Sequence, residues 1–229
     1  MTDQRPIAVV LVSGGMDSCV TTAIAGIDHQ VALMHAQYGQ RSRQKERWAF
    51  DAIADHYGVD ERRRLVIDLG HIADIGGSAL TDATMAVPLA NLSSTDIPIT
   101  YVPFRNGNLL SAATSWAEVL SASAIFVGAV EADSSGYPDC RREFFDAYQA
   151  AISQGTRPET RISIETPLIE MTKKEIVLKG VEMGAPLELT WSCYQDEPTP
   201  CGICDSCVLR ARGFRAAGVQ DPLANLSER

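Results

Sequence analysis

The feature that most constrains this chain is a buried strand that ends in two glycines. Residues 7–12 form an uninterrupted apolar run rich in β-branched side chains, and Ser13, Gly14 and Gly15 follow at once. Such a run is typical of a strand covered on both faces, as in a parallel sheet. Residues 17–27 have helical spacing. The glycines therefore predict a strand–turn–helix unit whose helix start directs free N–H groups at an anionic ligand.

The loop sequence narrows the ligand to ATP. Positions 13–18 are Ser-Gly-Gly-Met-Asp-Ser, which differs from the dinucleotide fingerprint and from the lysine-containing phosphate loop. It matches the pyrophosphatase-type ATP loop. A carboxylate at Asp17 suits Mg²⁺, although a plain turn with Asp17 or Ser18 as a helix cap is the simpler alternative. The nucleotide-binding residues expected here are Val12, Ser13, Gly14, Gly15, Met16, Asp17 and Ser18.

The rest of the chain alternates between the two element types. Strands are predicted at 31–36, 65–69, 124–129 and 161–165, and helices at 42–57, 106–120, 139–153, 172–183 and 206–217. This alternation predicts an α/β fold, a Rossmann-like parallel sheet with helices on both faces. Trp48, Ala52 and Ile53 are the expected inner positions of the second helix. The long polar stretch 70–100 is expected to be a lid or an active-site insertion.

Four of the six cysteines lie within fifteen positions near the end of the chain. Two-residue gaps separate Cys201, Cys204 and Cys207, and Cys193 precedes them. Four thiolates at such spacing predict a closed tetrahedral zinc site of the structural kind. An iron–sulfur cluster is a competing interpretation, and packed cysteines or a disulfide are further ones. We expect an ATP-binding domain over 1–185 and a zinc-binding helical segment over 186–229.

A polar segment after the fourth predicted strand is a candidate base-binding region. Glu131, Asp133 and Asp139 could accept hydrogen bonds from a guanine-like edge, with the ring of Tyr137 stacked on it. The alternative is a solvated loop in which Asp139 caps the next helix. Cys140 is expected to be a packed thiol rather than a reactive one.

Two cations stand at predicted helix starts. Thr172 is a plausible helix cap, which puts Lys173 in the first turn, where it could reach phosphates. Arg105 begins the helix at 106–120 and has the same potential. Asp17, Lys173 and Arg105 are therefore the catalytic candidates, while a solvated surface role is the alternative for both cations.

Charge and hydropathy exclude other classes. The chain has 29 acidic residues against 20 Lys and Arg, a net charge of −9 over 229 residues, which argues against nucleic-acid binding by charge. No apolar run is long enough for a membrane span. No signal peptide precedes the first strand, so a cytoplasmic location is expected.

Together these motifs resemble a known family, the 7-cyano-7-deazaguanine synthases of queuosine and archaeosine precursor synthesis. The matching segments are 13–18, Tyr-Gly-Gln-Arg at 38–41, Tyr-Val-Pro-Phe-Arg-Asn at 101–106, Gly-Tyr-Pro-Asp-Cys-Arg at 136–141, Thr-Pro-Leu at 166–168, Thr-Lys at 172–173, and Thr-Trp-Ser-Cys-Tyr at 190–194 with the cysteines that follow. Phe104 stands where the resemblance leads us to expect glycine.

The resemblance implies a fold of the adenine nucleotide alpha hydrolase type and an activity. ATP would adenylate the carboxylate of 7-carboxy-7-deazaguanine, ammonia would displace AMP to give an amide, and a second ATP would drive dehydration to the nitrile. It implies ATP, Mg²⁺ and Zn²⁺ as cofactors, a homodimer, and Tyr38, Gln40 and Arg41 at the nucleotide site.

Two other functions fit parts of the pattern. A tRNA-modifying ATP-loop enzyme that adenylates a base would need a basic surface or an added RNA module. A zinc-ribbon binding module with a vestigial ATP fold would not need the intact Ser13, Asp17 and Ser18.

Overall fold

The computed structural model describes residues 3–94, 96–131 and 136–224. Its strands are β1 (Ile7–Leu11), β2 (Gln30–Gln37), β3 (Arg64–Asp68), β4 (Ala124–Val127) and β5 (Ser163–Glu165). They form one sheet of order β3-β2-β1-β4-β5 in which every neighbouring pair is parallel. The predicted α/β fold is confirmed.

Seven α-helices connect or follow the strands in the part of the chain described. They are α1 (Met16–Asp28), α2 (Arg43–His56), α3 (His71–Ile75), α4 (Arg105–Leu120), α5 (Arg142–Gly155), α6 (Lys173–Glu182) and α7 (Asp205–Ala217). Their bounds lie close to the predicted ones, except that α3 was not predicted. None of these helices is long and apolar enough to cross a membrane.

The sheet separates two apolar cores, because side chains of a strand alternate between its faces. Val10 of β1 belongs to the core that includes residues of α1, α2, α6 and α7. Val9 belongs to the opposite core, with α4 and α5. The sheet is thus covered on both faces, which explains why β1 is uniformly apolar.

The prediction for the buried face of α2 is wrong at one position. Trp48 is 54% exposed, whereas Ile53 is fully buried and Ala52 is half-buried. The buried residues are Ala49, Phe50, Ile53 and Ala54. Ala49 and Ile53 are four residues apart, as are Phe50 and Ala54, so each pair lies on the same side of the helix. The buried face therefore begins one position after Trp48.

The helix cap predicted at Thr172 is confirmed. Its hydroxyl accepts from the N–H of Glu175 at 3.3 Å, and the Glu175 carboxylate accepts from the N–H of Thr172 at 2.8 Å. This capping box satisfies two backbone donors at the helix start. It fixes the place where α6 begins, and hence the position of Lys173.

Candidate active site and cysteine centre

A cleft opens at the carboxyl ends of β1 and β4. Here β1 lies between β2 and β4. The strand order therefore reverses at β1, with β2 and β3 on one side of it and β4 and β5 on the other. Such a switch point is where open α/β sheets bind ligands. All seven residues of the predicted nucleotide loop except Gly14 are among those that line the cleft.

The backbone of Gly14 requires glycine. Its φ is +88°, and a Cβ built there would lie 2.6 Å from the carbonyl oxygen of Glu46. The Gly14 carbonyl accepts from the N–H of Trp191 at 2.8 Å. The loop is therefore held between α2 on one side and the segment before the cysteines on the other.

The start of α1 is open to a ligand. Gly15 is the N-cap residue and supplies no side-chain cap, so the first-turn N–H groups have no partner within the helix. The hydroxyl of Ser18 donates to the Gly15 carbonyl at 2.9 Å. The hydroxyl of Ser13 donates to the Ser18 hydroxyl oxygen at 3.3 Å. This arrangement can bind phosphate oxygens through backbone N–H groups and the helix dipole.

Asp17 and Lys173 form an ion pair across the cleft floor. Lys173 Nζ lies 2.6 Å from Asp17 Oδ2, and the lysine side chain is 10% exposed. The other oxygen, Oδ1, is buried without a hydrogen-bond partner. A buried carboxylate oxygen with unused acceptor capacity suits a hard cation such as Mg²⁺, and Lys173 adds positive charge beside it.

Arg105 reaches the cleft from the other face of the sheet. It begins α4, and its Nη1 donates to the Tyr38 hydroxyl at 3.1 Å. The guanidinium carbon lies 5.6 Å from the ring centre of Tyr38 and 5.9 Å from that of Tyr137. Burial raises the pKa of Tyr38 to about 12, so its hydroxyl stays neutral and can accept this bond.

Three segments of the chain meet at Tyr137. Its hydroxyl donates to Thr100 Oγ1 at 3.0 Å and lies 3.3 Å from the hydroxyl of Tyr194. The ring of Tyr101 lies beside it, with centroids 5.8 Å apart. Tyr137 lines the cleft, as a stacking residue should.

Two acidic candidates of the same segment, Glu131 and Asp139, are not among the residues that line the cleft. Asp139 is 3% exposed and accepts from the N–H of Asn106 at 2.9 Å. It therefore caps α4 and not the next helix, which was the alternative interpretation. The next helix, α5, is capped by Glu131 instead, because the Glu131 carboxylate accepts from the N–H of Arg142 at 2.9 Å, where α5 begins. Asp133 lies outside the described residues.

Gln40 and Arg41 line the cleft but are engaged with the protein. Gln40 donates to Glu46 at 2.9 Å and accepts from the Tyr38 N–H at 2.8 Å. Arg41 donates to the carbonyls of Ala79 (2.9 Å), Asp82 (2.7 Å) and Met85. Both side chains shape the turn after β2, and Arg41 holds the segment that follows α3 against it.

That segment continues to the cysteines. The N–H of Ala90 donates to the Ile203 carbonyl at 2.9 Å, and that of Asn91 donates to Asp205 at 3.1 Å. Leu80 lines the cleft. The stretch predicted as a lid or insertion thus contacts both the cleft and the cysteine segment.

Cys140 is a half-buried thiol that lines the cleft. Asn106 Nδ2 donates to its sulfur at 3.3 Å. Burial raises the pKa of Cys140 to about 11, and the nearby charge of Arg105 only partly opposes this. The thiol is therefore protonated at neutral pH, which agrees with a packed rather than a nucleophilic cysteine.

The four clustered cysteines form one site. The sulfurs of Cys193, Cys201, Cys204 and Cys207 all lie within 4.8 Å of one another. The N–H groups of Gln195 and Cys201 donate to the Cys193 sulfur at 3.4 and 3.3 Å. Such bonds stabilise a thiolate, and the grouping can hold one metal ion.

The cysteine centre and the cleft share a wall. Trp191 packs in the same apolar cluster as Cys193, Cys204 and Cys207, while its backbone holds Gly14. Arg210 of α7 donates to Thr190 Oγ1 at 2.8 Å and to Asp221 Oδ1 and Oδ2 at 2.9 and 2.8 Å. Residues around the four cysteines therefore also form part of the cleft wall.

Sequence reasoning missed several cleft residues, chiefly Trp191, Ser192, Tyr194 and Arg210. The first three flank Cys193, and a metal site adjoining a cleft could have drawn attention to them. Arg210 is only 6% exposed, but no local pattern separates it from the other arginines of α7.

Fold and site define an α/β protein with a glycine-loop anion site at the switch point of its sheet and a four-cysteine centre beside it. The family model for the queuosine biosynthesis protein QueC matches residues 7–218. The chain belongs to this family.

Curated relatives match almost the full chain. A 7-cyano-7-deazaguanine synthase from Chlorobium phaeobacteroides is 58% identical over 217 residues, which cover 94% of this chain and 95% of the relative. Those from Chlorobaculum parvum and Chloroherpeton thalassium are 56% and 54% identical with the same coverage.

Two solved structures are similar to this chain at much lower sequence identity. An NAD+ synthetase from Burkholderia pseudomallei is 17% identical with a TM-score of 0.43, covering 98% of this chain and 77% of its own. The U34-tRNA thiolase NcsA from Methanococcus maripaludis, with its [4Fe-4S] cluster, is 11% identical with a TM-score of 0.46, covering 93% and 64%. The family assignment depends on the sequence matches.

Proposed function

We propose that the protein converts 7-carboxy-7-deazaguanine and ammonia to 7-cyano-7-deazaguanine at the expense of ATP. The observation that carries the proposal is a single cleft, in a chain of this family, where a helix-end anion site meets the Asp17–Lys173 pair and a cation from the opposite face. Relatives that are 54–58% identical over 94% of the chain bear the corresponding name.

The chemistry begins with a carboxylate, which is a poor electrophile. Attack of the carboxylate oxygen on the α-phosphorus of ATP releases pyrophosphate and gives an acyl adenylate. Ammonia then attacks the acyl carbon, and AMP and a proton leave to give the amide. In a second round the amide oxygen attacks ATP, and loss of AMP and a proton from the adenylated amide leaves the nitrile.

The residues on one side of the cleft are suited to binding the phosphates of ATP. The backbone N–H groups at the first turn of α1 would bind phosphate oxygens, and Lys173 would stabilise the charge that develops as pyrophosphate leaves. Asp17 has a buried, unpartnered oxygen that would hold Mg²⁺, which neutralises phosphate charge. Because all three nucleophiles, the carboxylate, ammonia and the amide, come from the substrates and the intermediate, no covalent enzyme nucleophile is needed.

The other candidate site residues have narrower proposed roles. Tyr137 lines the cleft and would lie against the deazapurine ring. Tyr38, Gln40 and Arg41 would shape the nucleotide side without all contacting ATP, since Gln40 and Arg41 are engaged by the protein. Glu131 and Asp139 fit cap roles better than base recognition, because their carboxylates hold the starts of α5 and α4.

Zn²⁺ is the metal we propose for the cysteine centre. At a zinc–sulfur distance of about 2.3 Å, a tetrahedral site places its sulfurs roughly 3.8 Å apart, and here all four lie within 4.8 Å. An iron–sulfur cluster contains several metal ions and bridging sulfides, so it needs its thiolates farther apart. The four cysteines would close the coordination shell, which gives the metal a structural role over residues 186–229.

The proposal extends to the setting of the enzyme. The ATP-binding unit would span residues 1–185, ammonia would enter free or from a partner, and the active species would be a cytoplasmic homodimer. The product would leave as a free base, before any nucleic acid is involved.

The test is an incubation of the metal-loaded protein with Mg-ATP, ammonium and 7-carboxy-7-deazaguanine, analysed by mass spectrometry. Nitrile and AMP are the expected products, and Asp17→Asn should reduce both strongly. Folded, zinc-containing protein that forms neither product would refute the proposal.

A further inference from the structure

The cationic side chains of the cleft differ in the protein groups to which they are already bonded. In the described chain, four cationic side chains line it: Arg41, Arg105, Lys173 and Arg210. Lys173 pairs with Asp17 at 2.6 Å and Arg210 with Asp221 at 2.8 Å. The guanidinium of Arg41 donates to three backbone carbonyls. These three side chains are therefore committed to protein partners.

Arg105 lacks such a partner among the residues described. It donates once, to the Tyr38 hydroxyl, and its buried Nε has no hydrogen-bond partner. The charge of the Asp139 carboxylate acts on Arg105, but the two form no ion pair, and Asp139 accepts from the Asn106 N–H instead. A half-buried guanidinium that makes one hydrogen bond and no ion pair is costly to desolvate, so a ligand anion would be bound strongly there.

The position of Arg105 separates it from the phosphate site. α1 and α6, which carry the nucleotide loop and Lys173, pack on one face of the sheet, whereas α4 packs on the other. Arg105 therefore faces the loop from across the sheet edge. The rings of Tyr38 and Tyr137 lie 5.6 and 5.9 Å from its guanidinium carbon, which favours a flat ligand over a triphosphate.

We propose that Arg105 is the specificity-determining residue that binds the carboxylate of the heterocyclic substrate, with Tyr137 against the ring. This inference deepens the proposed function and rests on it. The guanidinium fork can form two parallel bonds to one carboxylate, which would orient the acid for attack on ATP. The amide formed midway has no charge, so Arg105 discriminates the first substrate from the later ones.

The test compares the affinities of Arg105→Met for three probes by calorimetry: 7-carboxy-7-deazaguanine, the neutral 7-amide, and α,β-methylene ATP. The acid should bind about 10–100-fold more weakly, as expected for a lost charge-assisted hydrogen bond. The amide and the ATP analogue should each change by less than about threefold. Arg62→Met removes the same charge from a side chain that is 91% exposed and should change nothing.

Other outcomes are equally decisive. Equal weakening of acid and amide would make Arg105 a general structural residue, and loss of the ATP analogue alone would make it a phosphate ligand. Either result overturns the inference. If wild-type protein binds neither acid nor amide, the proposed function itself fails.

A second variant keeps the inference testable should Arg105→Met not fold. Tyr38→Phe keeps the ring but removes the hydroxyl that accepts from Arg105. The freed guanidinium should lose orientation, so acid affinity falls about 2–10-fold while amide affinity stays unchanged. Unchanged acid affinity in this variant would contradict the inference.

Discussion

Replacing Gly14 by alanine should damage both stability and nucleotide binding. The residue has φ +88°, and its new Cβ would lie 2.6 Å from the Glu46 carbonyl oxygen and 2.9 Å from Ala49 Cβ. The left-handed conformation costs alanine about 1–2 kcal/mol, and overpacking adds about 1–3 kcal/mol. The loss of roughly 2–5 kcal/mol corresponds to a fall of roughly 4–20 °C in Tm for a chain of this size.

Gly15→Ala is the matched control. Gly15 has φ −79°, and a Cβ there would meet its nearest atom, Ser13 Oγ, at 3.4 Å, an ordinary contact. Alanine should therefore be neutral or stabilise the fold by about 0.4–1 kcal/mol. Thermal unfolding by calorimetry and titration with an ATP analogue give both readouts. A Gly14→Ala Tm within about 2 °C of wild type, or an equal loss of Tm in both variants, would refute the reasoning.

Three further changes test other parts of the molecule. Cys204→Ser should lose bound zinc and lower the Tm, because metal binding free energy is folding free energy; unchanged metal content by mass spectrometry would contradict the assignment. Gly107→Ala should cost about 1–3 kcal/mol in unfolding free energy, since its Cβ would lie 2.2 Å from the ring of Phe104; adding Phe104→Gly should restore stability, and a failure to do so would contradict the contact. Cys140 should resist iodoacetamide until the pH approaches its raised pKa of about 11; rapid labelling of this thiol at pH 7 would be the contrary result.

The elements that were predicted correctly are encoded locally. The apolar run of β1, the glycines after it and the spacing of the cysteines each fall within a short stretch, so their geometry follows from neighbouring residues. The same holds for the Thr172 cap, which needs only Glu175 three residues later.

The features that were predicted wrongly or missed depend on distant parts of the chain. Trp48 sits one position off the buried face of α2, and only the orientation of that helix on the sheet decides which face is covered. Asp139 caps α4, which lies 33 residues earlier. The N–H of Trp191 donates to the carbonyl of Gly14, which is far away in the sequence. Such partners are set by tertiary packing, which no local pattern contains.

Phe104 illustrates how a departure from the expected residue is accommodated. It adopts φ +53° at the N-cap of α4, a conformation that favours glycine. Its ring covers Gly107 and meets Phe144 edge-on at 5.8 Å. The absence of a side chain at Gly107, three residues along, leaves room for this ring.

The most direct test of the central proposal is the ratio of AMP to nitrile in a single-turnover reaction of 7-carboxy-7-deazaguanine with ammonium and excess Mg-ATP. Two activations, at the acid and at the amide, require two AMP per nitrile and one AMP when the 7-amide is the starting material. A single AMP per nitrile from the acid, or nitrile formed without AMP, would contradict the account.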